Sequence, residues 1–347
     1  MTILVTGASG HLGGNLVRQL LDDGHRVRVL LREGSNNTAM DGLDVEPVYG
    51  DLRNFTEIKA VVRGCDYIYH CAANISTLDD RPQLREIYDC NVIGTIHILQ
   101  AALEAGVSKV VVSGSFSAVG HHPEKPSDET VPFYPFSPHL PYGFTKAFVE
   151  YECLKAFANG LNVVVAVSCA ILGPHDYKPS RMGRTLLDFA NGKLPVYVPG
   201  GFEFVSARDI VKGHILAMTK GRAGQKYIFS TKFLTVDELM GIFEEVTGCP
   251  RPPLRIPSAV MAGVAGVTDF FMPRFFPQMP RRFTSGAVRI LRMHRRADIS
   301  KARNELSYQP TSIHASIQEA YDCFTRRSLI IPVRKNITFT RPKENLS

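Results

Sequence analysis

The sequence has no Cys-x-x-Cys pair, no unbroken apolar run long enough for a bilayer and no dense basic stripe. Each absence removes a class of protein. The seven cysteines (Cys65, Cys71, Cys90, Cys153, Cys169, Cys249 and Cys323) are odd in number and widely spaced. That argues against a zinc site or a disulfide framework and for a reducing compartment. A membrane-spanning helix needs about eighteen or more consecutive apolar residues, so none is expected. The first apolar strand begins at Ile3, which leaves no room for a signal peptide, and a cytoplasmic location is expected. The formal charge of +7 is modest for 347 residues. Cationic residues are scattered apart from Arg281-Arg282 and the stretch from Arg289 to Arg296, which reads as solvated surface, and no nucleic-acid partner is expected. There is no internal repeat. With 44% hydrophobic residues, the chain can build one large core, or a domain with a smaller lobe.

What is present is organised around the first fifteen residues. Ile3-Leu4-Val5 reads as a buried strand. It runs into Thr6-Gly7-Ala8-Ser9-Gly10-His11-Leu12-Gly13-Gly14, and then into a helix with Leu12, Leu16, Leu20 and Leu21 on one face. In such a strand–turn–helix unit, Gly7 permits the turn, Gly10 lets a pyrophosphate approach the backbone, and Gly13 lets the helix pack on the strand. The free N–H groups of the helix face the phosphate. Gly7, Ser9, Gly10, His11, Leu12 and Gly13 are therefore the candidate dinucleotide cradle. The spacing is Gly-x-x-Gly-x-x-Gly, not the commoner Gly-x-Gly-x-x-Gly.

Strands and helices then alternate, which implies a parallel sheet covered on both faces. Arg26 to Arg32 is a second strand. An acidic residue at its end would grip the ribose hydroxyls of NAD; Arg32 can instead pair with the 2′-phosphate of NADP. NADP(H) is expected over NAD(H), with Glu33 as the feature that would favour NAD. Val45 to Tyr49 is a third strand, followed by Gly50-Asp51-Leu52. Asp51 can reach the adenine amino group, or cap the helix from Thr56 onward. Tyr67 to Ala73 is a fourth strand whose small last residues, Ala72 and Ala73, can pass under a cofactor. A helix is expected over Tyr88 to Ala105, a fifth strand over Lys109 to Ser113 and a sixth over Asn162 to Val167.

Tyr142 and Lys146 stand at i and i+4 near the start of another helix. A phenol has a pKa near 10, and an adjacent ammonium lowers it, which makes acid–base chemistry feasible near neutral pH. Ser115 lies just past the fifth strand, where an open α/β sheet places its ligands.

Together, Gly7, Gly10, Gly13, Asp51-Leu52, Ser115 and Tyr142-x-x-x-Lys146 resemble an extended short-chain dehydrogenase/reductase. The similarity is closest to the branch of dihydroflavonol reductases, 3β-hydroxysteroid dehydrogenases and hopanoid-associated epimerase-like proteins. Leu172-Gly173-Pro174, Phe204 to Asp209 and Lys301 to Pro310 resemble later motifs of that branch. The resemblance implies that Tyr142 exchanges a proton with the substrate oxygen, that Lys146 binds the nicotinamide ribose and lowers the tyrosine pKa, and that Ser115, rather than Ser113 or Ser117, bonds the carbonyl. Asn91 falls in the family's Asn-Val-x-Gly-Thr helix, as a member of the catalytic group or as a structural amide. Ser168-Cys169 stands where the branch has Pro-Ser or Pro-Thr, which places Cys169 beside the nicotinamide.

The expected fold is α/β, a Rossmann-type doubly wound parallel sheet with a smaller, mainly helical C-terminal lobe. Residues 1–174, with a returning segment near 203–231, would form the dinucleotide-binding domain. Residues 175–202 and 232–327 would form the substrate lobe, and 328–347 a tail. The expected activity is NAD(P)H-dependent reduction of a ketone or oxidation of a secondary alcohol. The apolar segment with Val260, Met261, Val264, Val267, Phe270, Phe271, Met272, Phe275 and Phe276 points to a lipophilic substrate; its alternatives are internal packing and contact with a membrane surface. A sugar-nucleotide epimerase or dehydratase, a hydroxysteroid dehydrogenase/isomerase and a silent nucleotide sensor are the competing functions. His121-His122 lacks ligand partners at metal spacing and reads as a solvated loop, so no metal is expected. His175-Asp176 can line the cleft or cap a helix. A homodimer is expected through the helices Tyr88 to Ala105 and Tyr142 to Ala158, with Ile93, Ile96 and Leu103 as candidate face residues.

Overall fold

The computed structural model describes residues 1–75, 81–133, 141–257, 260 and 285–331. The apolar segment expected to cover the substrate lies outside these residues except for Val260, as do Arg281-Arg282 and the tail from 332 onward.

The strands are β1 (Thr2–Thr6), β2 (Arg26–Leu31), β3 (Glu46–Tyr49), β4 (Tyr67–His70), β5 (Lys109–Ser115), β6 (Val163–Ser168), β7 (Ala170–Leu172), β8 (Val196–Tyr197), β9 (Gly201–Ser206), β10 (Lys226–Phe229), β11 (Lys232–Thr235) and β12 (Leu254–Arg255). Seven of them form one sheet in the order β10-β6-β5-β4-β1-β2-β3, with every pairing parallel. This is the expected Rossmann-type sheet. The central strands are buried along nearly their whole length because helices cover both faces. All seven residues of β5 are buried, and Val163, Val164 and Val165 of β6 pack beside them. The order reverses between β1 and β4. In an open α/β sheet that reversal opens a crevice at the carboxyl ends of the strands.

The helices are α1 (His11–Asp22), α2 (Phe55–Val62), α3 (Arg81–Tyr88), α4 (Gly94–Glu104), α5 (Pro141–Ala158), α6 (Arg181–Ala190), α7 (Ala207–Thr219), α8 (Val236–Thr247), α9 (Ser285–Met293), α10 (Ser300–Leu306) and α11 (Ile313–Arg326). α1 buries Leu16, Val17 and Leu20 on one face. The helix expected over Tyr88 to Ala105 is not continuous: a π-turn at Asp89–Ile93 joins α3 to α4. π-Turns of this kind recur at functional sites. The capping box of Thr235 and Glu238 starts α8 where the sequence indicates.

A second core joins the sheet β11-β9-β7 to α6, α8 and α11 through Leu172, Phe189, Phe204, Leu239, Phe243 and Phe324. Ala302, Leu306 and Tyr308, expected in this lobe, pack instead in the core of the large sheet. No helix among the described residues is long and apolar enough to cross a membrane.

Candidate active site

A cavity of about 1190 Å³ opens along the carboxyl edge of the large sheet. Its floor is the turn between β1 and α1. Gly7 has φ +71°, and a Cβ there would lie 2.6 Å from the Ala72 amide nitrogen. A Cβ at Gly13 would strike the Gly7 carbonyl. Any side chain at these positions would push β1, β4 and α1 apart, so the glycines are required sterically. Gly10 is the N-cap of α1 and offers no side-chain cap, and the first turn holds no acidic residue. The N–H groups of that turn therefore keep their capacity for an anion. Gly7, Ser9, Gly10, His11, Leu12 and Gly13 line the cavity, as do Ala72 and Ala73 at the end of β4. A steric cradle, uncapped donors and a length that runs on past β2 are what a dinucleotide phosphate needs, so the residues present fit that group.

At the β2 end, Arg32 and Ser35 line the cavity and Arg32 Nε donates to Ser35 Oγ at 2.9 Å. Glu33 is exposed and is not among the lining residues. Asp51 lines the cavity but caps no helix: Asn54 caps α2, accepting from the Thr56 and Glu57 amides. Asp51 is instead chelated by Arg53, which holds its carboxyl below the usual range. Leu52 packs against Gly94, where a Cβ would approach Leu52 Cβ to 2.8 Å, and its carbonyl accepts from His97.

Ser115, Tyr142 and Lys146 meet in the same cavity. Ser115 is buried at the last position of β5, and its hydroxyl interacts with the Tyr142 phenol. Lys146 is buried, donates to the Ser113 carbonyl at 2.7 Å, and lies 6.0 Å from the Tyr142 ring centroid. The expected lowering of the tyrosine pKa by Lys146 is not what this environment produces. Burial pushes the phenol up to about 12, with Ser115 pulling the other way. Burial also takes Lys146 down to about 8. Desolvation outweighs a charge that sits beyond direct contact.

Asn91 stands apart from these three. It does not line the cavity. Its amide accepts from the Asn74 N–H at 2.7 Å and donates to the Asn74 carbonyl and to Thr145 Oγ1, each at 3.0 Å. Cys169 is buried and lines the cavity. His11 lines it too, but its Nε2 is bonded to the Pro174 carbonyl. Asp176 is buried and lines the cavity, accepting from the Ser180 amide. Ser180, not Asp176, caps α6.

Three lining residues carry no sequence signal. Lys178 donates to Ser9 Oγ at 2.9 Å beside the glycine turn. Glu203 of β9 is buried and accepts from the Ala297 amide. Arg295 belongs to the stretch read as solvated surface, yet its Nη2 donates to the carbonyls of Phe116, Val119 and Gly120 and its guanidinium covers the Phe116 ring at 4.6 Å. Only the tertiary fold brings these residues, so far apart in the chain, to the cleft.

Residues 3–229 match the profile described as the NAD dependent epimerase/dehydratase family. Among characterised relatives, the chain is 43% identical over 330 residues to Sterol demethylase protein B of Methylococcus capsulatus, covering 95% of this chain and 100% of that protein. It is 29% identical over 322 residues to the 4-hydroxy-2-methyl-3-oxo-4-farnesyl-3,4-dihydroquinoline-1-oxide ketoreductase of Stigmatella aurantiaca, covering 90% and 93%. Among solved structures, the crystal structure of gox2253 superposes with a TM-score of 0.83 at 29% identity, covering 95% of this chain and 99% of that one.

Proposed function

The chain belongs to the NAD dependent epimerase/dehydratase family, and within it we propose a nicotinamide-dependent oxidoreductase that interconverts a ketone and a secondary alcohol on a lipophilic, polycyclic or isoprenoid-bearing substrate. The observation that carries this reading is the convergence of Ser115, Tyr142 and Lys146 with the glycine cradle in one cavity. The bound cofactor supplies the hydride; the protein's own groups handle the proton and the geometry. Ser115 Oγ and the Tyr142 phenol are set to bond the same substrate oxygen. With its pKa near 12, the phenol keeps its proton through the neutral range, the protonation state of a general acid. In that form it can give its proton to a developing alkoxide. Lys146 sets its ammonium between the Ser113 carbonyl and the cavity, where it can meet ribose hydroxyls.

Support for a lipophilic substrate comes from Phe133, Met182, Phe202, Ile290 and Met293 in the cavity lining, where Arg181 and Arg289 also stand. The sterol and farnesyl-quinoline chemistry for which two relatives are named agrees with it. Support for NADP(H) comes from Arg32 and Ser35 lining the adenosine end while Glu33 does not. Lys178 lies near enough to Arg32 for that charge, after burial, to hold its ammonium below the usual lysine range.

The test is turnover by purified protein with NADPH or NADH against steroid ketones, a farnesylated quinolone and UDP-glucose. Tyr142→Phe should lose roughly a hundredfold or more of kcat while cofactor affinity stays nearly intact. Near wild-type kcat in that variant would remove Tyr142 as the acid. Turnover of UDP-glucose with no response to any lipophilic ketone would move the function to sugar-nucleotide epimerisation.

A further inference from the structure

Beneath the cavity runs a chain of buried polar groups that no part of the mechanism above uses. It begins at the cofactor floor, where the Ala72 amide donates to Thr6 Oγ1 at 3.3 Å. Thr6 Oγ1 lies 2.7 Å from His70 Nδ1, and His70 Nε2 lies 3.0 Å from Thr95 Oγ1. Thr95 donates to the Asn91 carbonyl, Asn91 Nδ2 donates to Thr145 Oγ1 at 3.0 Å, and Thr145 donates to the Tyr142 carbonyl at 2.9 Å. Thr6, His70, Asn91, Thr95 and Thr145 are all buried.

Chemistry fixes the direction of every link. A carbonyl only accepts, so the Thr95 hydroxyl proton points to Asn91, and His70 Nε2 must carry the proton that Thr95 accepts. In a neutral imidazole, Nδ1 is then the acceptor and Thr6 donates to it. Burial, with the Lys146 charge nearby, drives the His70 pKa down to about 3, which keeps the ring neutral. Donors and acceptors therefore run one way from Ala72 to the first turn of α5. A fully satisfied buried network of this kind is rigid and specifies one arrangement.

We propose that His70 is a positioning residue for the reaction proposed above: as the hub of this relay, it fixes the dinucleotide floor at Ala72 relative to the helix turn that carries Tyr142. The relay spans β1, β4, the π-turn, α4 and α5. It moves no proton. It sets the distance between the cofactor's reacting face and the acid.

Paired substitutions test this. Thr6→Val, Thr95→Val and Thr145→Val keep the side-chain shape and delete the hydroxyl; the matching serine variants keep the hydroxyl and delete the methyl. NADPH binding is read by fluorescence titration, separately from turnover. Thr6→Val, Thr95→Val, Thr145→Val and His70→Leu, each breaking the one relay, are all expected to lower kcat about tenfold, and Thr6→Val, next to the floor, to weaken NADPH binding about tenfold as well. The serine variants should recover each parameter to within about twofold. If His70→Leu does not fold, the Thr95 pair interrupts the relay at the same hub. Valine variants that bind and turn over like wild type, or serine variants as impaired as their valine partners, overturn the relay. Wild-type protein that binds neither NADPH nor NADH refutes the nicotinamide reading itself, a separate result.

Discussion

Lys146 is held at a cost to the fold, and replacing it with methionine exposes that cost. The ammonium is buried, and desolvation takes its pKa from the ordinary 10.5 to about 8. At about 1.4 kcal/mol per pH unit, keeping the charge in place at neutral pH costs about 3 kcal/mol. The neighbouring imidazoles add no second positive charge: burial holds His70 near 3 and His214 near 4, so both are neutral. Methionine fills the volume of the lysine stem without a charge and leaves the Ser113 carbonyl short of one donor, at about 1 kcal/mol. Lys146→Met should therefore stabilise the cofactor-free protein by about 2 kcal/mol near pH 7 while abolishing turnover. The sign with pH is also fixed. The folded pKa lies below the unfolded value, so between about pH 8 and pH 10.5 the unfolded chain binds more protons and wild-type stability rises with pH. The variant lacks this gain, and its advantage should shrink across that window. Urea unfolding of both proteins at several pH values from about 7 to 10, without cofactor, measures the difference directly. A variant less stable than wild type near neutral pH, or a gap constant with pH, would refute the reasoning.

Arg32→Ala should cut the preference for NADPH over NADH about tenfold, because a charge-assisted contact is worth about 1.5–3 kcal/mol; calorimetric titration with both cofactors decides it, and equal wild-type affinities would return the choice to NAD. Arg295→Met should lower kcat about tenfold with little change in cofactor affinity, since three turn carbonyls next to Ser115 lose their shared donor; unchanged kcat would make Arg295 a packing residue. The outer face of α5 exposes Phe148, Tyr151, Leu154 and Phe157, near Tyr88 of α3, and an exposed apolar stripe of this kind fits a homodimer; Tyr151→Glu with Leu154→Glu should shift light scattering from dimer to monomer, and a monomeric wild type at micromolar concentration would remove the dimer.

Parts of the site were legible because their requirements are local. Gly7 and Gly13 are demanded by contacts within one strand–turn–helix unit, and the sequence spells that unit without interruption. The alternation of apolar runs with amphipathic ones is equally local, and it led directly to the parallel sheet. The spacing of Tyr142 and Lys146 put both on one helical face. Other parts depend on what the fold brings together from a distance. Asp51 stood before a helix and could have capped it, but Asn54 is nearer and takes the amides. The π-turn at Asp89–Ile93 widens the helix where Asn91 must reach both Asn74 and Thr145, and no propensity marks it. Of the residues named for a dimer face, Ile93 and Ile96 are half-buried and Leu103 is exposed, while the exposed stripe lies on α5, the other helix expected there.

The pKa of Tyr142 shows the same limit in chemical form. From the sequence, a lysine one helical turn away should stabilise a phenolate, because the pair is visible and the surroundings are not. In the fold, the surroundings decide the sign. The crevice strips water from the tyrosine, and desolvation raises the phenol further than its bond with Ser115 lowers it. The apolar lining and the protonated acid then have one origin. On the proposed reading, a site dry enough for a lipophilic substrate keeps its tyrosine protonated, the form that would complete a ketone reduction.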